Sequence, residues 1–285
     1  MPLHRFECEA MATTFEVIIA QEDVDAVYAA QAAEAVFTEI ARLEDELSRF
    51  RHTSDIFRLS QLRAGQSIGV SLAVWDCLSL AKAVHQETGG AFDITVGPLM
   101  SLWRTGDGHG WEEPDAERLK LARASVGSNL FDLTEDGYRV TVQADHMVFD
   151  LGAVGKGYAL DQASEKLSEW SISQAFLNAG DSTFLALGSP AGEEPGMGWT
   201  VTLAEGRREL QLQDRALSGS GFAVKGAHIM DPRTLRPAPV KSVRTFALAP
   251  TAALSDALST AFMLMDPEDI AALCARYPGV EAMEI

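Results

Sequence analysis

The stretch V-F-D-L-G-A-V-G-K-G-Y-A-L-D-Q-A-S-E-K-L, residues 148–167, gives the clearest indication of how this chain folds. An apolar run ends at Asp150. Three glycines with Lys156 among them follow, and apolar residues then return at the spacing of a helix. This order predicts a short strand, a glycine-rich turn and then an amphipathic helix.

A glycine-rich turn of this kind has two explanations. Glycines let a ligand approach the backbone, and the start of a helix offers free N–H groups and a partial positive charge, to which Lys156 adds a full one. That combination suits a phosphate ligand. Glycine-rich turns between a strand and a helix are also common, and often they only solve a packing problem. Since the stretch matches neither G-x-x-x-x-G-K-[ST] nor G-x-G-x-x-G, the turn alone leaves both explanations open.

Composition limits the kinds of protein that this chain can be. It has 285 residues, of which 47% are hydrophobic, so it can bury a substantial core. The net charge of −18 argues against a nucleic-acid backbone as the main partner, because such binding needs clustered lysines and arginines. A small phosphate ligand remains compatible. Without repeats or linkers, the sequence predicts one domain over residues 1–285.

The cysteines and the N-terminus bear on the cellular compartment. Cys8, Cys77 and Cys274 are scattered and include no C-x-x-C pair, which indicates neither a disulfide framework nor a thiolate zinc site. No apolar run reaches the length of a membrane span, and no signal peptide or lipoprotein cleavage context is seen. We therefore expect a cytoplasmic protein as given, or a periplasmic one if a leader has been removed.

Helix and strand patterns alternate along the rest of the chain. Apolar residues recur at helical spacing over residues 24–47 and 71–88, and a last helix capped by Ser255 is predicted over residues 256–277. The predicted strands cover residues 12–20, a hairpin within 126–143, two strands within 174–187, a three-stranded meander within 199–220, and residues 243–249.

Four polar residues outside the glycine-rich turn are candidates for chemistry. Asp256 and Thr260 lie four apart on the predicted last helix and so share a face, where a carboxylate and a hydroxyl can hold Mg²⁺ if phosphates or carbonyls complete the shell. On spacing alone, the favoured explanation of Asp256 is that it complements the helix dipole. Asp93 can be a cap for the segment after Pro98. A lone histidine such as His228 is more often structural than catalytic.

Six segments of the sequence share one resemblance. They are M-A-T-T-F (11–15), L-S-R-F-R-H-T-S-D-I-F-R-L-S (47–60), G-G-A-F-D-I-T-V-G-P-L (89–99), D-L-G-A-V-G-K-G-Y-A-L-D (150–161), A-H-I-M-D-P-R-T (227–234) and S-D-A-L-S-T-A (255–261). In this order they resemble the motifs of the FAD:protein FMN transferases, the ApbE family, over nearly the whole chain.

This resemblance implies a fold and an activity. The fold would be α+β, a single domain with mixed or antiparallel sheets flanked by helices. Family members bind FAD and use Mg²⁺ to transfer its FMN half to a Ser or Thr hydroxyl of an acceptor protein, with release of AMP. Two alternatives stay open. One is a Mg²⁺-dependent FAD pyrophosphatase, in which water replaces the acceptor hydroxyl. The other is a non-catalytic FAD-binding protein.

The resemblance also assigns roles to residues. The residues that would bind the flavin nucleotide are Met11, Phe50, Ala91, Phe92, Asp93, Asp150, Lys156 and Ile229. Among them Phe50 would stack on a ring of the ligand. The ligands of Mg²⁺ would be the backbone carbonyl of Ala153 and the side chains of Asp256 and Thr260. His228 is the candidate general base, because the ordinary pKa of an imidazole lies near the working pH.

The chain departs from the family pattern at three glycines. Ala12 follows Met11 where the family has M-G-T, Leu235 follows Thr234 where it has T-G, and Asp181 replaces the second glycine of N-x-G-G-[DS]. From the last departure we expect a negative side chain beside the phosphate site.

Overall fold

A seven-stranded antiparallel sheet forms the centre of the protein. The computed structural model describes residues 3–104, 111–192, 196–203, 208–221, 229–239 and 244–284. The strands of the sheet are β1 His4–Ala10, β2 Thr13–Ile19, β6 Ala175–Ala179, β7 Thr183–Leu187, β10 Arg215–Ser220, β13 Thr245–Ala249 and β14 Glu281–Glu284. They lie side by side in the order β1-β2-β6-β7-β10-β13-β14.

Three smaller antiparallel sheets accompany the central one in the described residues. Their strands are β3 Ser67–Gly69, β5 Arg139–Val142 and β4 Phe131–Thr134 in one sheet, β8 Trp199–Leu203 with β9 Arg208–Leu212, and β11 Met230–Asp231 with β12 Arg236–Pro237. The helices are α1 Ala26–Leu47, α2 Asp55–Leu59, α3 Leu72–Glu87, α4 Gly97–Trp103, α5 Ala116–Arg123, α6 Gly155–Glu169, α7 Ala252–Phe262 and α8 Pro267–Arg276. The predicted α+β fold is therefore confirmed.

Both faces of the central sheet are covered, because successive side chains of a strand point to opposite faces. On one face, alternate residues such as Leu185 and Ala247 join the main core with α1, α6 and α7. On the other, Phe184 and Phe246 pack against the β8–β9 hairpin in a second apolar cluster. Of the described helices, none combines the length and apolar character that crossing a bilayer would need.

Helices α6 and α7 meet closely, and this contact builds the site described below. Gly157 faces the start of α7, where a β-carbon would clash with the backbone of Ala252 and Ala253. The carboxylate of Asp161 accepts hydrogen bonds from Ala252 N at 2.7 Å and Ala253 N at 2.9 Å, so α6 caps the first turn of α7. The glycine thus serves helix packing, one of the two explanations left open for the glycine-rich turn.

Several predicted elements need correction. Residues 148–150 do not form a strand, although Asp150 N donates to Ile94 O at 2.7 Å. β10 lies between β7 and β13 in the central sheet instead of completing a meander with β9. The predicted last helix is two helices, because Asp266 and Pro267 start a new one. Thr251, and not Ser255, is the N-cap of α7.

Candidate functional site

Two adjoining cavities form one cleft with two lobes. The larger lobe has a volume of about 330 Å³ and the smaller about 200 Å³, which is the size range of small-molecule sites. Four residues line both lobes and mark the passage between them: Arg49, Asp150, Gly152 and Lys156.

The cleft collects every predicted site residue that the structure describes. The smaller lobe is lined by Met11 and Phe50, and both lobes by Asp150 and Lys156. The larger lobe is lined by Ala91, Phe92, Asp93, Ala153, Ile229, Asp256 and Thr260. His228 lies outside the described residues. The geometry thus brings together side chains from opposite ends of the sequence, while their individual roles stay predictions.

Lys156 and Asp256 meet at the boundary of the two lobes. Lys156 Nζ lies 3.1 Å from Gly152 O and 3.5 Å from Asp256 Oδ2, and Gly157 N lies 3.3 Å from the same carboxylate oxygen. Gly152, Lys156 and Gly157 belong to the turn and the first residues of α6, the end at which a helix dipole is positive. Positive charge from the lysine and the helix start therefore converges on the passage, as a phosphate ligand requires.

The larger lobe carries a donor set that fits a hard divalent cation. Asp256 and Thr260 lie one turn apart on α7, and the loop before α6 brings Ala153 to the same lobe. The Asp256 side chain is only 7% exposed, yet its contacts to Lys156 and Gly157 are long for hydrogen bonds. A nearly buried carboxylate with such weak partners can accept a cation. One carboxylate, one hydroxyl and one carbonyl are oxygen donors of the kind that Mg²⁺ prefers.

Among the residues that the structure describes, no richer metal cluster competes with this donor set. Within the described ranges, no group of three or more His, Cys, Asp and Glu side chains is placed to bind a metal ion. A cation in the cleft would thus depend on mixed protein oxygens and on the ligand's own phosphates.

Asp93 lines the cleft but commits its carboxylate to the protein. Its Oδ1 accepts from Thr95 N at 2.8 Å and Thr95 Oγ1 at 2.6 Å, and its Oδ2 accepts from Ser128 N at 2.9 Å. His85 Nδ1 lies 3.2 Å from Oδ2. Asp93 does not cap the helix after Pro98, because the N-cap of α4 is Val96. Asp93 therefore shapes the loop that faces the ligand.

The His85–Asp93 pair shifts both pKa values. The hydrogen bond to Asp93 is the main cause that raises the pKa of His85 above its ordinary value, and burial partly opposes it. Burial acts to raise the pKa of Asp93, but the hydrogen bonds from His85 and Thr95 outweigh it and the pKa lies below its ordinary value. His85 Nδ1 also lies 2.9 Å from Phe92 O, so the pair fixes two consecutive cleft residues.

The smaller lobe presents an aromatic ring to its ligand. Phe50 is 76% exposed, unusual for a large apolar side chain, and the guanidinium of Arg49 lies 4.5 Å from its ring centre. Arg49 Nε also lies 3.4 Å from Asp150 Oδ2, and Asp150 Oδ1 accepts from Gly152 N at 2.9 Å. These contacts hold the ring and the start of the glycine-rich turn on the same side of the cleft.

Asp181 does not stand beside the phosphate site as the sequence led us to expect. Its side chain is exposed, is absent from the cleft lining, and turns back to Asn178, whose Nδ2 donates to Asp181 Oδ1 at 2.9 Å. Asp181 N in turn donates to Asn178 Oδ1 at 3.0 Å. The neighbouring Ser182 lines the cleft instead.

Sequence patterns missed several cleft residues. Arg104 and Arg244 line the larger lobe, and with Arg49 and Lys156 they give the cleft four cationic residues in a chain of net charge −18. The lining also holds four acidic residues, Glu44, Asp93, Asp150 and Asp256. The cleft therefore carries no net charge, which makes it more favourable to an anionic ligand than the negatively charged chain around it. Arg104 and Arg244 lie outside the six segments, and nothing in their sequence neighbourhood distinguishes them.

Comparison with known proteins identifies the family. The profile of the ApbE family matches residues 11–284, and this chain therefore belongs to the ApbE family. The family predicted from the six segments is confirmed.

Named relatives and solved structures agree with this placement. An FAD:protein FMN transferase of Klebsiella pneumoniae (strain 342) is 30% identical over 240 residues, 78% of this chain and 67% of the relative. One of Escherichia coli (strain K12) is 27% identical, over 86% of this chain and 74% of its own length. Apo Pseudomonas stutzeri flavinyl transferase ApbE shares the fold at 24% identity, with a TM-score of 0.85 over 99% and 92% of the two chains. The ApbE protein of Thermotoga maritima is 25% identical, with a TM-score of 0.83 over 100% and 94%.

Proposed function

We propose that this protein transfers the FMN half of FAD to a Ser or Thr hydroxyl of an acceptor protein, in a reaction that depends on Mg²⁺ and releases AMP. The observation that carries the proposal is the cleft, in which all described candidates for nucleotide and metal binding face one continuous space. The names of the relatives support the same activity.

The reaction exchanges one phosphorus–oxygen bond for another. The acceptor oxygen bonds to the phosphorus of the FMN half, the bond from that phosphorus to the bridging oxygen breaks, and AMP leaves with the bridging oxygen. The acceptor hydroxyl gives up its proton. Negative charge builds on the phosphate oxygens during this exchange, so the site must supply positive charge that is already in place.

The residues of the passage meet that need. Lys156 and the positive end of the α6 helix dipole face the position where we place the pyrophosphate. Asp256, Thr260 and the carbonyl of Ala153 would hold Mg²⁺, which when bound supplies further positive charge to the phosphate oxygens. Phe50, exposed in the smaller lobe, would stack on the flavin ring and so orient the FMN half.

His228 remains our candidate for the base that takes the acceptor proton. The support is its position in the sequence next to Ile229, which lines the cleft, and the suitable pKa range of an imidazole. If His228→Ala keeps the wild-type rate of transfer at all pH values, His228 is not the base.

The proposal is tested by following all three products. The purified protein is incubated with FAD and Mg²⁺, with and without an acceptor protein that carries a flavinylation motif, and AMP, free FMN and protein-bound flavin are measured. We expect AMP and acceptor-bound flavin in equal amounts, and both lost in Asp256→Ala. AMP with free FMN alone would instead indicate a pyrophosphatase. Bound FAD without products would indicate a non-catalytic FAD-binding protein.

A further inference from the structure

Three hydroxyl groups lie side by side at the wall of the larger lobe. Ser220, the last residue of β10, has its Oγ 2.9 Å from Ser259 Oγ and 3.1 Å from Thr260 Oγ1. Ser220 and Thr260 line the lobe, whereas Ser259 is fully buried behind them on α7. The cluster therefore links the central sheet to the helix that carries the candidate metal ligands.

The protons available to the three hydroxyls fix which group donates and which accepts in each hydrogen bond of the cluster. Each hydroxyl has a single proton to donate. Ser259 Oγ donates its proton to the backbone carbonyl of Asp256, at 2.9 Å. The Ser220–Ser259 bond must then use the proton of Ser220, and Ser220 can only accept in its bond with Thr260. The protons run from Thr260 to Ser220, from Ser220 to Ser259, and from Ser259 to the Asp256 carbonyl.

This direction decides what Thr260 can offer to a ligand. Its proton is committed to Ser220, so its oxygen lone pairs are what remains for the lobe. A cation binds an oxygen through a lone pair, and a proton turned toward the cation would repel it. The chain of hydrogen bonds ends on the backbone carbonyl of Asp256. It therefore fixes the backbone of Asp256 and the hydroxyl of Thr260 relative to each other.

We propose that Ser220 is a positioning residue, which orients the hydroxyl of Thr260 so that Thr260 can bind the divalent cation. The inference rests on the proposed function, because it takes Asp256 and Thr260 as cation ligands. Partners of this kind, which bond to a metal ligand and not to the metal, commonly change metal affinity by 10-fold or more when removed.

A purely structural role is the competing explanation, since the same bonds tie β10 to α7. Ser255 provides the matched control. It is a buried serine on the same helix, and its Oγ donates to Ala247 O of the sheet at 2.7 Å without taking part in the chain of bonds. Ser255→Ala removes one sheet-to-helix hydrogen bond and leaves Thr260 oriented.

The experiment measures cation affinity directly, with Mn²⁺ as the probe and ADP to supply a pyrophosphate that carries no flavin. Free Mn²⁺ is followed by electron paramagnetic resonance during titration of the wild type, Asp256→Ala, Ser220→Ala, Ser220→Thr and Ser255→Ala. We expect Ser220→Ala to raise the Kd for Mn²⁺ about 10-fold. Ser220→Thr, which keeps the hydroxyl, should have a Kd close to that of the wild type. Ser255→Ala should have the same Kd as the wild type.

The outcomes separate this inference from the metal site itself. If Asp256→Ala binds Mn²⁺ as the wild type does, the proposed metal site is wrong and the role of Ser220 falls with it. If Asp256→Ala loses Mn²⁺ while Ser220→Ala keeps wild-type affinity, the metal site stands and the role of Ser220 is overturned. An equal loss of Mn²⁺ affinity in Ser220→Ala and Ser255→Ala would also overturn the role of Ser220, because both losses would then reflect the packing of α7.

Discussion

Ala12, Asp181 and Leu235 adopt left-handed backbone conformations, with φ angles of 58°, 52° and 61°. These are the three positions at which the family pattern has glycine. A residue with a β-carbon is strained in this conformation by about 1 to 2 kcal/mol, whereas glycine is not. The family glycines at these positions are therefore explained by the backbone conformation.

Ala12 gives the clearest test of this explanation, because its small side chain has little else to lose. We expect Ala12→Gly to raise the free energy of unfolding by about 0.5 to 1 kcal/mol, as relief of strain exceeds the added entropy of the unfolded chain. Chemical denaturation measures the change. Ala30, exposed within α1, is the control, and Ala30→Gly should lower stability by about 1 kcal/mol. Destabilisation by both substitutions would contradict the explanation.

A substitution at Asp181 tests whether the departure in the N-x-G-G-[DS] segment affects the binding of FAD. Since its carboxylate bonds to Asn178 and stays out of the cleft, we expect Asp181→Gly to leave the Kd for FAD within about twofold of the wild type. Fluorescence titration of flavin measures this value. A gain of 10-fold or more in affinity would show that the aspartate does repel the phosphates.

The contact between α6 and α7 is the element on which the site depends. Sequence periodicity predicts α6 well, because its apolar residues repeat regularly over one continuous helix. It cannot place α6 against α7, since Lys156 and Asp256 are 100 residues apart and their contact is a property of the packed fold. The division of residues 256–277 into two helices was missed for a related reason, as Asp266-Pro267 can either start a helix or interrupt one.

Gly157 tests this contact. A β-carbon there meets the backbone of Ala252 and Ala253, which cannot rotate away as a side chain would. We expect Gly157→Ala to lower the free energy of unfolding by about 1 to 3 kcal/mol and to reduce the affinity for FAD and metal, as Lys156 moves from Asp256. Gly155→Ala is the stability control, because its β-carbon would meet neighbours at no closer than 3.8 Å. Equal stability of the two variants would refute the packing argument.

The His85–Asp93 pair holds the loop that joins α3 to α4. Because the pKa values of both residues are shifted, we expect the free energy of unfolding to depend on pH. The pKa of His85 is raised, so its contribution to stability is complete below its ordinary value of 6.5 and is lost as pH rises through the folded-state pKa. The pKa of Asp93 is lowered, so its contribution is complete above 3.8 and is lost as pH falls through its folded-state value.

His85→Gln keeps a polar side chain but removes the titration. We expect the stability difference between wild type and His85→Gln to be about 1 to 2 kcal/mol larger at pH 5.5 than at pH 9, measured by denaturation across this range. A difference that does not vary with pH would mean that His85 carries no charge in the pair.

The fold brings residues from distant parts of a negatively charged chain into a cleft whose lining carries no net charge. The α+β class and the family followed from six short segments, and all the site candidates among the described residues reached the same cleft. The sequence does not predict the order of the central sheet, because the outer strands β1 and β14 come from the two ends of the described chain. Arg104 and Arg244 also needed the fold, since only packing brings them to the larger lobe.

The most direct test of the central claim is mass spectrometry of an acceptor protein after incubation with this protein, FAD and Mg²⁺. We expect a mass increase of one FMN joined through its phosphate, mapped to a Ser or Thr residue. We expect no increase when Asp256→Ala replaces the wild type. An unmodified acceptor, alongside complete conversion of FAD to AMP and free FMN, would contradict transfer to a protein. It would show that the protein hydrolyses FAD.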